Sequence, residues 1–172
     1  WGQASVAMTD MLFSAVNEEV QFGLQLFPSA DGGGCDVLQT PEVGVEQDKQ
    51  LQIVSTLKAN LPGIANATPL VESYESIANG VARVNPGTLA NLAAPDTVSA
   101  VLVLSDGADS CAQREPGSSA QQTLDRLGNA ANSLLQRGIR TYAIAFGGVG
   151  SEGEQQLAQI ALSGGTDAHI RA

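Results

Sequence analysis

Residues 98–107 read VSAVLVLSDG, an apolar run of strand length that stops at an Asp-Gly pair. A continuous run of this kind suits a strand buried on both faces, as in the interior of a parallel sheet, and Asp-Gly ends it with turn chemistry. Downstream, Ser118 or Ser119 can cap a helix in which Leu124, Leu127, Ala131 and Leu134 recur at three and four residues until Gly138. A second strand follows at 141–146. Ser151 and Glu154 then stand at capping-box spacing and open a helix that ends at Ser163-Gly164-Gly165. Residues 168–171 can form a last strand.

Upstream of the same run the pattern is more broken. Ala4, Met8, Met11 and Ala15, with Val6, Phe13 and Val16, suit one broad face of a helix over 2–19. Val20, Phe22, Leu24 and Leu26 alternate with Gln21, Gly23 and Gln25, which predicts a strand over 20–27 closed by Pro28 and the glycines at 32–34. The stretch 35–45 carries β-branched residues but also Pro41 and Gly44, and reads as a broken edge strand. Leu51, Val54 and Leu57 mark a second helix after Asp48. Thr68-Pro69 opens a third, striped by Leu70, Tyr74, Ile77, Ala78 and Val81. The order implies one α/β domain over 1–172, with a mainly parallel sheet, helices on both faces and right-handed crossovers. Ligands of such sheets bind beyond the carboxyl ends of the strands, which selects 28–35, 65–68, 105–111 and 147–151.

The chain has 172 residues, 43% hydrophobic and 15% charged, a globular composition. Its 18 acidic residues against 8 basic ones give a net charge of −10. A surface of that sign repels phosphate and argues against nucleic acid or an anionic membrane as partner. The longest apolar stretches fall far short of the ~20 residues of a membrane helix, so no membrane insertion is expected. No basic region leads into an apolar run near Trp1, so no signal peptide is visible. Cys35 and Cys111 lack the spacing of a zinc or Cys-x-x-Cys redox site. They fit either an internal disulfide or two buried thiols. Both follow strands and fall at the carboxyl end of the sheet, and the disulfide expected from that placement requires Cα atoms within ~7 Å.

Each candidate residue has a plainer role beside its functional one. Asp106 can be a turn residue, but a carboxylate at the end of a buried strand can also hold a hard cation, directly or through water. Thr68 can cap the helix behind Pro69, and its neutral hydroxyl is equally a ligand for Mg²⁺. The run 148–153 matches G-x-G-x-x-G between a strand and a helix. Glu152 stands there where a pyrophosphate must approach, and the acidic residue expected ~20 positions on is missing, so a flexible loop before a capped helix is the preferred reading over a nucleotide-binding enzyme. Asn66-Ala67-Thr68 is a glycosylation sequon by pattern and is taken as coincidence. His169, the one histidine, has no nucleophile pattern beside it and reads as structural. Trp1 reads as a packing aromatic.

The segments 20–29 (VQFGLQLFPS), 67–70 (ATPL), 101–111 (VLVLSDGADSC) and 138–147 (GIRTYAIAFG) together resemble a von Willebrand factor A domain of bacterial secreted or surface proteins. The resemblance implies a Rossmann-like three-layer sandwich with one antiparallel edge strand and a metal-ion-dependent adhesion site on top. It implies a noncatalytic binding module, extracellular, on the cell surface or periplasmic, whose partner protein presents an acidic residue to Mg²⁺, Mn²⁺ or Ca²⁺. Thr68 and Asp106 match the family's threonine before the third helix and its aspartate after the fourth strand. The family's opening strand and its Asp-x-Ser-x-Ser motif have no counterpart here; Asp10 and Ser14 are the nearest imitation, at the wrong spacing within the first expected helix. The cation is therefore conditional on further ligands, and a structural module of the same fold without metal is the alternative. In the family's order the absent strand lies between 20–27 and 98–105. The expectation is that those two strands stand about 9–10 Å apart, twice the ordinary spacing, with a further segment outside this sequence filling the slot.

Overall fold

The computed structural model describes residues 2–14, 19–28, 34–35, 37, 40–60, 67–82, 92, 94–114 and 116–172, excluding the side chains of 81 and 82. Among these residues it is an α/β structure with five helices, a three-stranded parallel sheet and a separate two-stranded antiparallel sheet.

The first helix, α1 (Gly2–Leu12), stops well short of the expected residue 19. Its ladder tightens at the end, where Ser14 N–H donates to Met11 O at 3.3 Å, a three-residue bond typical of a terminating helix. Ala4 and Leu12 are buried while Val6 and Phe13 face solvent, so the broad apolar face expected from spacing is only partly used. Strand β1 (Phe22–Leu24) pairs antiparallel with β2 (Val43–Glu46), the last part of the expected broken strand. Gly23 permits the approach, because a Cβ there would stand 2.7 Å from Val45 Cγ2 and 3.0 Å from Val43 O. Helix α2 (Gln50–Ala59) buries Ile53 and Leu57, an i, i+4 pair, and leaves Leu51 in solvent. These elements share a small cluster of Leu12, Val43, Ile53 and Leu57, with Phe22, Leu24 and Leu26 packed on it.

The larger core lies in the rest of the chain. Helix α3 (Leu70–Ala82) contributes Leu70, Val71, Tyr74 and Ala78, close to the expected stripe. Strand β3 (Ala100–Ser105) is followed by a 3-10 turn (Ala112–Arg114), α4 (Ala120–Leu135), β4 (Arg140–Ala145), α5 (Ser151–Ser163) and β5 (Ile170–Arg171). The sheet order is β3-β4-β5, parallel throughout. Ser119 caps α4, its hydroxyl accepting from Gln122 N at 3.2 Å. Gly138, at φ 80°, takes the left-handed conformation that ends the segment.

Register decides the faces of the sheet. Val101 pairs with Thr141, Val103 with Ala143 and Ser105 with Ala145, and this set is buried beneath α3, α4 and α5. Leu102 pairs with Tyr142 on the opposite face, where they are 40% and 41% exposed, with Ile170 at 53%. The expectation of a strand buried on both faces is thus corrected: among the described residues, α3, α4 and α5 all feed one cluster and cover one face. Among the described residues the strands form two sheets. Strands β1 and β3 do not pair with each other.

Candidate functional site

The turn after β3 is organised by a residue that spacing did not single out. Ser105 Oγ donates to Gly107 O at 2.9 Å and starts the turn, leaving the Asp106 carboxylate exposed. Asp109 then turns inward and is 2% exposed. Its Oδ1 accepts from Cys111 N at 2.9 Å and Ala112 N at 2.7 Å, which starts the 3-10 turn. Its Oδ2 accepts from Val71 N at 2.9 Å, at the N-terminus of α3. The Asp109 N–H donates to Gln156 Oε1 of α5 at 2.7 Å. One aspartate therefore joins the β3 turn to two helices. Its negative charge stands at a helix N-terminus, where the macrodipole favours it.

Thr68 is drawn to the same turn by its backbone. Its N–H donates to Ser110 Oγ at 2.8 Å, and Ser110 N–H donates to Thr68 O at 3.0 Å. The segment of Thr68 is thus zipped to the loop that carries Asp106, although the two residues are 38 positions apart in the sequence. The capping expected of the Thr68 hydroxyl falls to Asp109 at Val71. The signal for Asp109 was present as an Asp two and three residues before amides that open a helical turn.

Cys35 and Cys111 form a disulfide with Cα atoms 5.6 Å apart, within the expected limit. It fixes the segment between β1 and β2 to the same turn. On the far side, Gly153 of α5 lies so close that a Cβ would be 3.0 Å from Ala108 N and 3.1 Å from Gly107 C. This is the role played by the last glycine of the 148–153 run. The first turn of α5 carries Glu152, hydrogen-bonded by Gln113, and Glu154, paired with Arg171. These carboxylates complement the helix dipole and oppose a phosphate there.

A hard cation such as Mg²⁺ takes about six oxygen ligands. Thr68 and Asp106 offer two, and among the described residues no three His, Cys, Asp or Glu side chains gather to hold a metal. The residues described do not by themselves fit the ion. A polar concavity of about 330 Å³ lies apart, beside the 3-10 turn and α4. Its Arg126 donates to both carboxylate oxygens of Glu75 at 2.8 Å and stands 3.6 Å from Glu72, so its charge is already met. His169 is half-buried just before β5. Asp10 is exposed on α1, while Trp1 and Asn66 lie outside the described residues. No described helix is long and apolar enough to cross a membrane. No known family model matches the chain, and no curated protein matches it.

Proposed function

We propose that this chain is a noncatalytic protein-binding module of the von Willebrand factor A type, completed as a Rossmann-like three-layer sandwich, with its contact surface formed by the loops around Thr68 and Asp106. The observation that carries this reading is the two-way hydrogen bonding of Thr68 to Ser110, which gathers at one end of the parallel sheet the segments bearing both oxygen donors. The disulfide supports residence outside the reducing cytosol, extracellular, on the cell surface or in a periplasm. The partner suited to the site is a protein with an exposed acidic residue. Use of Mg²⁺, Mn²⁺ or Ca²⁺ is conditional on ligands beyond the two described. That count also favours a second reading, a structural module of the same fold without functional metal.

Thermal unfolding in rising Mg²⁺ or Mn²⁺ tests both. A ligand bound only by the native state, at a hundred times its dissociation constant, adds about 2.7 kcal/mol. On the binding reading, any such gain disappears in Asp106→Ala while the circular dichroism is kept. An unchanged cation response in that variant removes Asp106 from the site. A flat titration of the parent protein leaves the structural module.

A further inference from the structure

We infer that the Cys35–Cys111 disulfide is a redox-operated clasp between two separately cored halves of the chain, residues 2–60 and 67–172, and that reducing it releases the first half as a unit while the second stays folded.

The halves are largely distinct in their construction. The small cluster of Leu12, Val43, Ile53 and Leu57 draws on the first half alone. Among the described residues the two sheets share no ladder. Side-chain bonds organise each half internally: Glu42 Oε2 accepts from Leu26 N at 2.7 Å in the first, and Asp109 joins Val71, Cys111 and Gln156 in the second. Among the described residues, Val45 and Phe27 are the first-half side chains that reach into the larger core. Among the described residues this seam is slender beside a core built from three helices and a sheet. The disulfide spans 76 positions and is the covalent tie across this joint.

Its two ends are set differently. Cys111 is 4% exposed, in the turn held by Asp109, whose backbone bonds do not depend on the sulfur bridge. Cys35 is half-buried, so of the two cysteines it is the more open to solvent. A thiolate of a dithiol reductant attacks Cys35 Sγ, the S–S bond breaks and Cys111 leaves as thiolate. The second thiol of the reductant then displaces Cys35 thiolate and closes the reductant into its own disulfide. Two electrons pass from the dithiol to the protein, and two protons follow to give two cysteine thiols. Of the described residues, Val45 and Phe27 remain at the joint, and local opening follows the weakest set of buried contacts.

The test is amide hydrogen exchange on the whole chain, oxidised, reduced with dithiothreitol and reoxidised. The expected result is exchange at least about tenfold faster in α1, β1, β2 and α2 after reduction, with β3, β4, α4 and α5 within about twofold of the oxidised protein. Reoxidation should restore both. Acceleration of both halves alike would make the chain one cooperative unit and overturn the proposal, as would no change in either. The doubly substituted Cys35→Ser, Cys111→Ser protein should reproduce the reduced pattern without reagent; if it is unfolded throughout, the proposal fails. Val45→Ala thins the remaining joint, so it should increase opening of the first half in the reduced protein and leave the oxidised one unchanged. An equal effect in both states would also overturn the clasp.

Discussion

Asp109 satisfies three backbone N–H groups with one carboxylate in a place where water does not reach. Asp109→Asn keeps the shape but turns an –NH₂ toward one of those donors. The expected loss is about 2–4 kcal/mol in urea unfolding, because a buried donor then lacks an acceptor. A loss no larger than that of an exposed Asp, such as Asp106→Asn, would show that the junction is held by packing instead. Tyr74 offers a second test, in pH. Burial pushes its phenol up from 10.0 to about 12, and the hydrogen bond with Thr141 pulls the other way. Between these values the unfolded chain gives up the proton and the folded chain keeps it. The contribution to stability is therefore complete below pH 10 and declines as pH rises through about 12, by about 3 kcal/mol in all. Tyr74→Phe should flatten that part of the stability curve measured by denaturant unfolding; an unchanged slope would place the titration elsewhere.

At the scale of elements, α5 shows how one small residue positions a helix. Gly153→Ala puts a methyl 2.6 Å from Val149 Cγ1 and against the backbone of 107–108, and overpacking of that kind costs about 1–3 kcal/mol. Gly148→Ala, with nothing within 4 Å of its Cβ, should stay within about 0.5 kcal/mol. Calorimetry on the pair separates close packing from loop flexibility as the reason for glycine in this run; equal losses would favour flexibility. The same contrast explains what was legible. Helices α4 and α5 were readable because Leu127, Ala131, Leu134, Leu157 and Ile160 all enter one deep core, so periodicity and burial agree. In α1 and α2 they disagree. The small cluster they join asks for few contacts, so Val6, Phe13 and Leu51 remain in water despite suitable spacing.

Across the whole molecule, the ends of strands were easier to read than their neighbours. Asp106 and the cysteines could be placed at one end of the sheet because strand ends follow from local pattern; Thr68, which opens a helix, was placed beside Asp106 by the resemblance. Asp109 was missed since its partners, Val71 and Gln156, are 38 and 47 positions away. That β1 and β3 do not pair follows from no alternation within VSAVLVLSDG; the expectation that they stand apart came from the resemblance and its absent strand. The two faces of β3 were misread: Leu102 and Val103 are equivalent as sequence and differ only by what packs above them. Substitution can tell them apart. Val103→Ala removes buried methyl groups facing the main core and should cost about 2 kcal/mol. Leu102→Thr acts on a side chain 40% exposed beside Tyr142 and should cost under about 1 kcal/mol. The urea midpoints of the two variants compare the faces directly. Should Leu102→Thr prove as costly as Val103→Ala, the second face is covered in solution and the sheet is buried on both sides after all.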